Sequence, residues 1–265
     1  MYKRKTELGF IHRFMPPKHK ESGATTTTRT STRETEGKVF TTFLLLHGTG
    51  GNEEDLIPLA YEVDQRSAIL SLRGKVLENG VAPRFFRRLA EGVFDIENLK
   101  FRTNELADFV NDASKTYDFD LQHIIAVGYS NGANIAASML LLRPEILFAA
   151  ILFRAMVPLV PETLPDLTNR HILMSSGIYD PIVSKQGAEE LFCLFKNAGA
   201  KVSLSWQESG HELTIEEIQK AKEWLLSLHS SSSHSFLFNY TVYTVYMHTR
   251  YDIDMNVIKI WLKSE

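Results

Sequence analysis

The pentapeptide Gly128-Tyr129-Ser130-Asn131-Gly132 constrains this chain more than any other feature. It stands between an apolar run, His123 to Tyr129, and a helix-forming segment, Asn131 to Leu142, that stops near Pro144. A serine at a sharp strand-to-helix turn has a strained backbone, and side chains two positions to either side would collide. Glycine at both positions removes the collision. Such a turn lifts the hydroxyl off the C-terminal edge of a sheet, and the helix behind it points free N–H groups at the same place. The pattern carries weight only in this context, because a turn serine also serves as a plain helix cap.

Around that turn, buried strands alternate with amphipathic helices. Thr41 to Leu46 is a continuous apolar run, as a strand covered on both faces requires. Ala68 to Leu72, Ala149 to Phe153, His171 to Ser176 and Val202 to Trp206 read as further strands, and Leu8 to Phe14 as a short edge strand. Leu106, Phe109, Val110, Ala113 and Tyr117 recur at helical spacing, and Ala188, Leu191, Phe192 and Phe195 mark another helix. Asn52 is expected to cap a helix with Glu53, Glu54 and Asp55 in its first turn. Thr214 and Glu217 form a capping box that opens a helix with Ile215, Ile218, Leu225 and Leu228 on one side. The alternation predicts an α/β protein with a mostly parallel central sheet and helices on both faces. At 265 residues the chain suits a single domain.

Composition divides the chain further. Residues 1–15 form an N-terminal strand region. Residues 16–38 are rich in Thr, Lys, Glu and Ser and are expected to be a disordered Thr-rich loop insertion. Residues 39–229 make the core. Residues 230–265 open with a serine linker and continue as an atypical C-terminal tail with no assigned role. The net charge of −3 excludes the basic stripe that nucleic acid needs. No stretch approaches the roughly 18 apolar residues that span a bilayer, so no membrane insertion is expected. The basic start of the chain lacks the apolar segment of a signal peptide. A lone cysteine, Cys193, fits a cytoplasmic protein. In that setting the glycosylation-type match at Asn239 is read as chance.

A serine hydroxyl needs a base, since its own pKa leaves almost no alkoxide at neutral pH. Where a nucleophilic serine sits at such a turn, the acid and then the histidine follow it in the chain. Three of the nine histidines lie between Ser130 and the serine linker: His171, His211 and His229. His171 begins a strand and should lie at the opposite sheet edge, and His229 ends a helix. His211 follows the strand ending near Trp206, so its loop can return an imidazole to Ser130. Asp180 lies just past the strand ending at Ser176, where a carboxylate can orient that imidazole. Asp166 precedes the strand and sits on the wrong side. Solvated-loop and turn-forming roles are the plain alternatives for His211 and Asp180.

Two donors are needed for an oxyanion. The backbone N–H of Asn131 is one, and the turn His47-Gly48-Thr49-Gly50-Gly51 supplies Thr49 as the other. That turn lacks the spacing and lysine of a phosphate loop. Arg73, Phe85 and Met156 are candidates for the substrate pocket, with an arginine available to an anionic group. Arg87 and Arg88 read as the solvated face of a surface helix. His211-Glu212 lacks the second histidine of a metal-binding H-E-x-x-H, and no metal or cofactor is expected. Cys193 reads as a packing residue in a helix interior.

Leu45-Leu46-His47-Gly48-Thr49-Gly50-Gly51-Asn52-Glu53, Arg73-Gly74, Phe85-Phe86-Arg87-Arg88, Gly128 to Gly132, Met156-Val157-Pro158 and Gly210-His211 together resemble the phospholipase/carboxylesterase family of α/β-hydrolases. Within it the chain is most similar to the bacterial carboxylesterases associated with hydroquinone resistance, sometimes called dienelactone hydrolase-like. The resemblance covers about residues 5 to 228. It implies a cofactor-free cytosolic esterase on small carboxylic or thio esters, with a triad of Ser130, Asp180 and His211. Dienelactone hydrolases proper use a cysteine nucleophile, and Ser130 stands against that chemistry. The insert at 16–38 and the tail after Ser230 depart from the family.

The sequence therefore predicts a serine carboxylesterase whose partner is a small-molecule ester. Its rivals are an acyl-protein or acyl-CoA thioesterase with lysophospholipase-like activity, and a non-enzymatic receptor or scaffold on the same fold. The oligomeric state stays open, a homodimer included.

Overall fold

The computed structural model describes residues 9–17 and 40–231. The expectations for the Thr-rich insertion at 16–38 and the tail at 230–265 fall, except for the first two residues of each, outside the described residues, as does the Asn239 match.

In chain order the elements begin with β1 (His12–Met15), β2 (Thr42–Leu46), α1 (Ile57–Val63) and β3 (Ala68–Leu72). Four short strands follow: β4 (Val76–Glu78), β5 (Ala82–Arg84), β6 (Arg88–Ala90) and β7 (Val93–Phe94). Then come α2 (Ile96–Tyr117), β8 (Ile124–Tyr129), α3 (Asn131–Leu142), β9 (Ala149–Phe153), β10 (His171–Gly177), α4 (Lys185–Asn197), β11 (Lys201–Gln207) and α5 (Ile215–Ser231). The main sheet has seven strands in the order β1-β3-β2-β8-β9-β10-β11. Only β1 is antiparallel, pairing with β3 from His12 opposite Leu72 to Met15 opposite Ile69.

The apolar strands are continuous because each feeds two cores. Leu44, Leu46, Leu70, Leu72, Ala126, Leu152 and Met174 face one side, where Leu106, Val110, Leu140, Leu191 and Phe195 cover them from α2, α3 and α4. Phe43, Leu45, Ile69, Val127, Ile151 and Phe153 face the other, under Leu59 and Val63 of α1 and Leu225 and Leu228 of α5. Each such side chain contributes about 1.5–3 kcal/mol on burial. A strand with a polar alternate face would forfeit half of that.

Four expectations need correction. The segment after β3 carries no surface helix. It folds as two hairpins, β4 with β5 and β6 with β7, and Arg88 lies in β6. Asn52 does not cap α1. Its side-chain oxygen closes a tight turn by accepting from Glu54 N at 2.8 Å, and the helix starts only at Ile57, next to Pro58. Cys193 lies on the solvent face of α4, so it is not a packing residue. Ile215 at the start of α5 is exposed, and Ala221 sits in the core beside Leu225 and Leu228. The capping box itself is present. Thr214 N donates to Glu217 Oε2 at 2.8 Å, and Glu217 N donates to Thr214 Oγ1 at 3.3 Å. Among the described residues no helix is long and apolar enough to cross a membrane.

Strands β2 and β8 are parallel neighbours, with Leu46 opposite Gly128. Their C-terminal ends carry the His47 turn and the Ser130 turn side by side. In parallel sheets this edge is where ligands bind.

Candidate active site

Ser130 occupies the turn between β8 and α3 with φ 51° and ψ −113°. A left-handed φ at a non-glycine residue costs on the order of 1 kcal/mol. The turn holds because Ser130 N donates to Phe153 O on β9 at 2.9 Å. The flanking glycines are required by contact. A Cβ on Gly132 would lie 1.9 Å from Leu46 O, and one on Gly128 would lie 2.7 Å from the Ala133 backbone. Ser130 stands at the N-cap of α3, yet its side chain makes no capping bond. The hydroxyl is turned elsewhere.

It meets His211. Ser130 Oγ lies 2.9 Å from His211 Nε2, and His211 Nδ1 lies 2.8 Å from Asp180 Oδ2. A carboxylate accepts, so Nδ1 carries the proton and Nε2 is the acceptor for the serine hydroxyl. Asp180 has no solvent-exposed side-chain surface. Its Oδ1 accepts from Ile182 N at 2.8 Å and Val183 N at 2.9 Å. Burial acts to raise its pKa. The bonds from His211, Val183 and Ile182 outweigh burial and hold the carboxyl below its ordinary value. The rival groups are elsewhere: His171 begins β10 at the far edge of the sheet, Asp166 closes a turn on Thr168, and His229 contacts Thr41.

The loop bearing His211 is gripped along its backbone. Tyr179 N donates to Ser209 O at 3.0 Å and Tyr129 Oη to His211 O at 2.9 Å. Arg154 Nε donates to Gly210 O at 3.0 Å, and Arg154 Nη2 donates to Glu212 O. Gly177 lets the loop come this close, since a Cβ there would stand 2.2 Å from Gly210 O. The sequence carries one local signal for Arg154, a charge directly after an apolar strand.

The second turn is built around His47. Its buried ring donates from Nδ1 to Gly48 O at 2.5 Å and accepts at Nε2 from Gly74 N at 3.0 Å. Burial is the main reason its pKa falls to about 4. The ring is therefore neutral near pH 7, as its bonding requires. Gly50, at φ +83°, donates to Pro83 O at 2.9 Å, and Thr49 Oγ1 accepts from Arg84 Nη1 at 2.8 Å. The N–H groups of Thr49 and Asn131 donate to no group among the described residues. In the sequence His47 stands only as the first residue of the glycine turn; its cross-link to Gly74 has no local signal.

Of the pocket candidates, Arg73 donates from Nε to the buried Glu53 Oε2 at 2.6 Å. Phe85 is buried, packs on His47 at 4.8 Å between ring centroids, and donates its N–H to Asn131 Oδ1 at 2.7 Å. Met156 N donates to Asn134 Oδ1 at 2.9 Å. Two asparagines of α3 thus tie both segments to the turn after Ser130. Arg87 pairs with Asp95, and Arg88 with Glu78.

A parallel sheet covered on both faces, with a strained serine at a strand-to-helix turn on its C-terminal edge, is the architecture of an α/β-hydrolase. The comparisons narrow the class. The chain is 49% identical over 181 residues to the Bacillus subtilis (strain 168) protein named "Putative hydrolase MhqD", covering 68% of this chain and 90% of that protein. A carboxylesterase of Bacillus cereus superposes with a TM-score of 0.75 at 45% identity, covering 84% of this chain and 96% of its own. A carboxylesterase from Mesorhizobium loti does so at 0.71 and 27% identity, covering 85% and 98%. No family model matches. The chain belongs to the phospholipase/carboxylesterase family of α/β-hydrolases and is a hydrolase.

Proposed function

We propose that this protein is a serine carboxylesterase that hydrolyses small carboxylic esters through an acyl-enzyme. The observation that carries the reading is His211 standing in hydrogen-bond reach of both Ser130 Oγ and Asp180 Oδ2. As the serine oxygen attacks the ester carbonyl, His211 Nε2 takes its proton. Asp180 keeps the imidazole in the tautomer that can do so and stabilises the imidazolium that forms. The carbonyl oxygen becomes an oxyanion, with the Thr49 and Asn131 amides as its donors. His211 then returns the proton to the leaving alcohol. Water enters, gives a proton to His211, attacks the acyl carbon, and the acid leaves with Ser130 restored.

Each oxyanion donor in such a site lowers the barrier by about 3 kcal/mol, so amides pre-set by two rigid turns account for much of the rate. Arg73, Phe85 and Met156 are assigned to the pocket side of the reaction. The catalytic core is assigned to residues 39–229, and the enzyme to the cytoplasm, where the exposed thiol of Cys193 stays reduced.

The test is covalent labelling with a fluorophosphonate, run beside an ester panel graded by acyl length and by an added acidic group. Wild type is expected to be labelled, and Ser130→Ala to lose both label and turnover. Full esterase activity in Ser130→Ala rejects the reading.

A further inference from the structure

Arg154 is the largest fully buried side chain described in the protein, and it stands at φ +58° immediately after β9. Its backbone N–H donates to Ser175 O at 2.9 Å on β10, which fixes the bend. All three guanidinium nitrogens are used. Besides Gly210 O and Glu212 O, they donate to Ser209 Oγ at 3.0 Å and Ser175 O at 3.3 Å. The same fork meets both oxygens of Glu217, Nη1 to Oε1 at 2.5 Å and Nη2 to Oε2 at 2.9 Å. Glu217 accepts two more bonds, from Ser175 Oγ at 2.5 Å and Thr214 N at 2.8 Å. Neither charged side chain has any exposed surface.

This arrangement is a poor choice for stability alone. Burying two charges costs several kcal/mol per ion, and apolar replacements of similar volume are often as stable. A left-handed φ at arginine adds to that cost. What the pair does is geometric. Arg154 takes the carbonyls on either side of His211, Gly210 O before it and Glu212 O after it. Its planar fork is held in turn by Glu217 of α5. The Nε also lies 3.8 Å from Asp180 Oδ2, beneath the residue that orients the imidazole. The loop of His211 is thereby clamped to β9, the strand whose Phe153 O also receives Ser130 N.

We infer that Arg154 and Glu217 are a positioning pair that sets the imidazole of His211 against Ser130, acting through the backbone of the His211 loop. The inference rests on the serine-esterase reading above. Lysine cannot replace arginine here, because one ammonium cannot span Gly210 O, Glu212 O and two carboxylate oxygens in a plane. An error of about 1 Å in such a placement costs on the order of 100-fold in rate.

The experiment compares wild type, Arg154→Met/Glu217→Met, Arg154→Lys and Ser130→Ala in steady-state ester hydrolysis, with melting temperature and fluorophosphonate labelling rate measured on each. The paired methionines remove both charges together and leave neither unpaired. The expected result is a folded protein in which kcat and labelling rate fall about 100-fold while KM stays within about twofold. Arg154→Lys is expected to lose about 10-fold in kcat with KM unchanged, and it decides the matter should the double variant not fold. Folded variants with kcat within threefold of wild type, or with KM raised and kcat intact, overturn the inference. A wild type whose labelling survives Ser130→Ala instead strikes the parent reading, so the two failures are told apart.

Discussion

The phenol of Tyr129 donates to the carbonyl oxygen of His211 across 2.9 Å, so the residue beside the serine holds the backbone of the histidine. The two rings also lie 5.4 Å apart between centroids. A side chain at the second position of the glycine-flanked turn thus reaches over to the loop that carries His211.

Tyr129→Phe keeps the ring and deletes that bond. A net hydrogen bond of this kind contributes about 1 kcal/mol. The variant is expected to lose that much stability in urea titration and a few-fold in kcat, with KM unchanged.

Asp180→Asn leaves the shape but offers an amide donor to His211 Nδ1. The imidazole then carries its proton on Nε2, facing Ser130, where it cannot accept. Turnover at pH 7 is expected to fall by about 10⁴-fold, the size seen when the same exchange is made in a serine-protease triad. Circular dichroism should show an unaltered fold.

Two glycines separate contact from backbone conformation. Gly132→Ala drives a methyl against Leu46 O, which belongs to a strand that cannot yield, and at least about 3 kcal/mol of stability should be lost. Gly50→Ala meets nothing within 4 Å and has only its φ of +83° to bear, at about 1–2 kcal/mol. Denaturant midpoints should rank the two variants in that order.

His47 links folding to pH. Its pKa falls from 6.5 in the unfolded chain to about 4 in the fold, so the unfolded state binds the extra proton between those values. Stability from this group is complete above pH 6.5 and drains away as pH falls toward 4, by about 3 kcal/mol in all. Asp55 works the other way. Burial raises its pKa from 3.8 to about 6, so its contribution is present below 3.8 and is lost as pH rises through 6. His47→Gln is expected to abolish the acid-side loss and leave the Asp55 slope of opposite sign. Melting temperatures across pH 4–7 for wild type, His47→Gln and Asp55→Asn check both signs.

Strands buried on both faces were legible because their runs admit no polar alternate. Asn131–Leu142 and Ala149–Phe153 fall where the apolar pattern and the stop near Pro144 put them. The segment from Val76 to Phe94 was not legible. Strands of two and three residues show no period, and Arg88 looks solvated until its pairing with Glu78, which Arg84 shares, is seen. The start of α1 was misplaced for a related reason, since Asn52 satisfies a turn amide as readily as a helix amide.

Local chemistry in the chain determined the sheet, the strained serine turn and the order in which Ser130, Asp180 and His211 follow one another, because hydrophobic period and glycine placement act over a few residues. Only the tertiary structure decided what holds them. Arg154 and Glu217 are 63 residues apart and Tyr129 and His211 are 82 apart. A buried charge or hydroxyl must find its partner wherever folding brings one, and no spacing along the chain records that meeting.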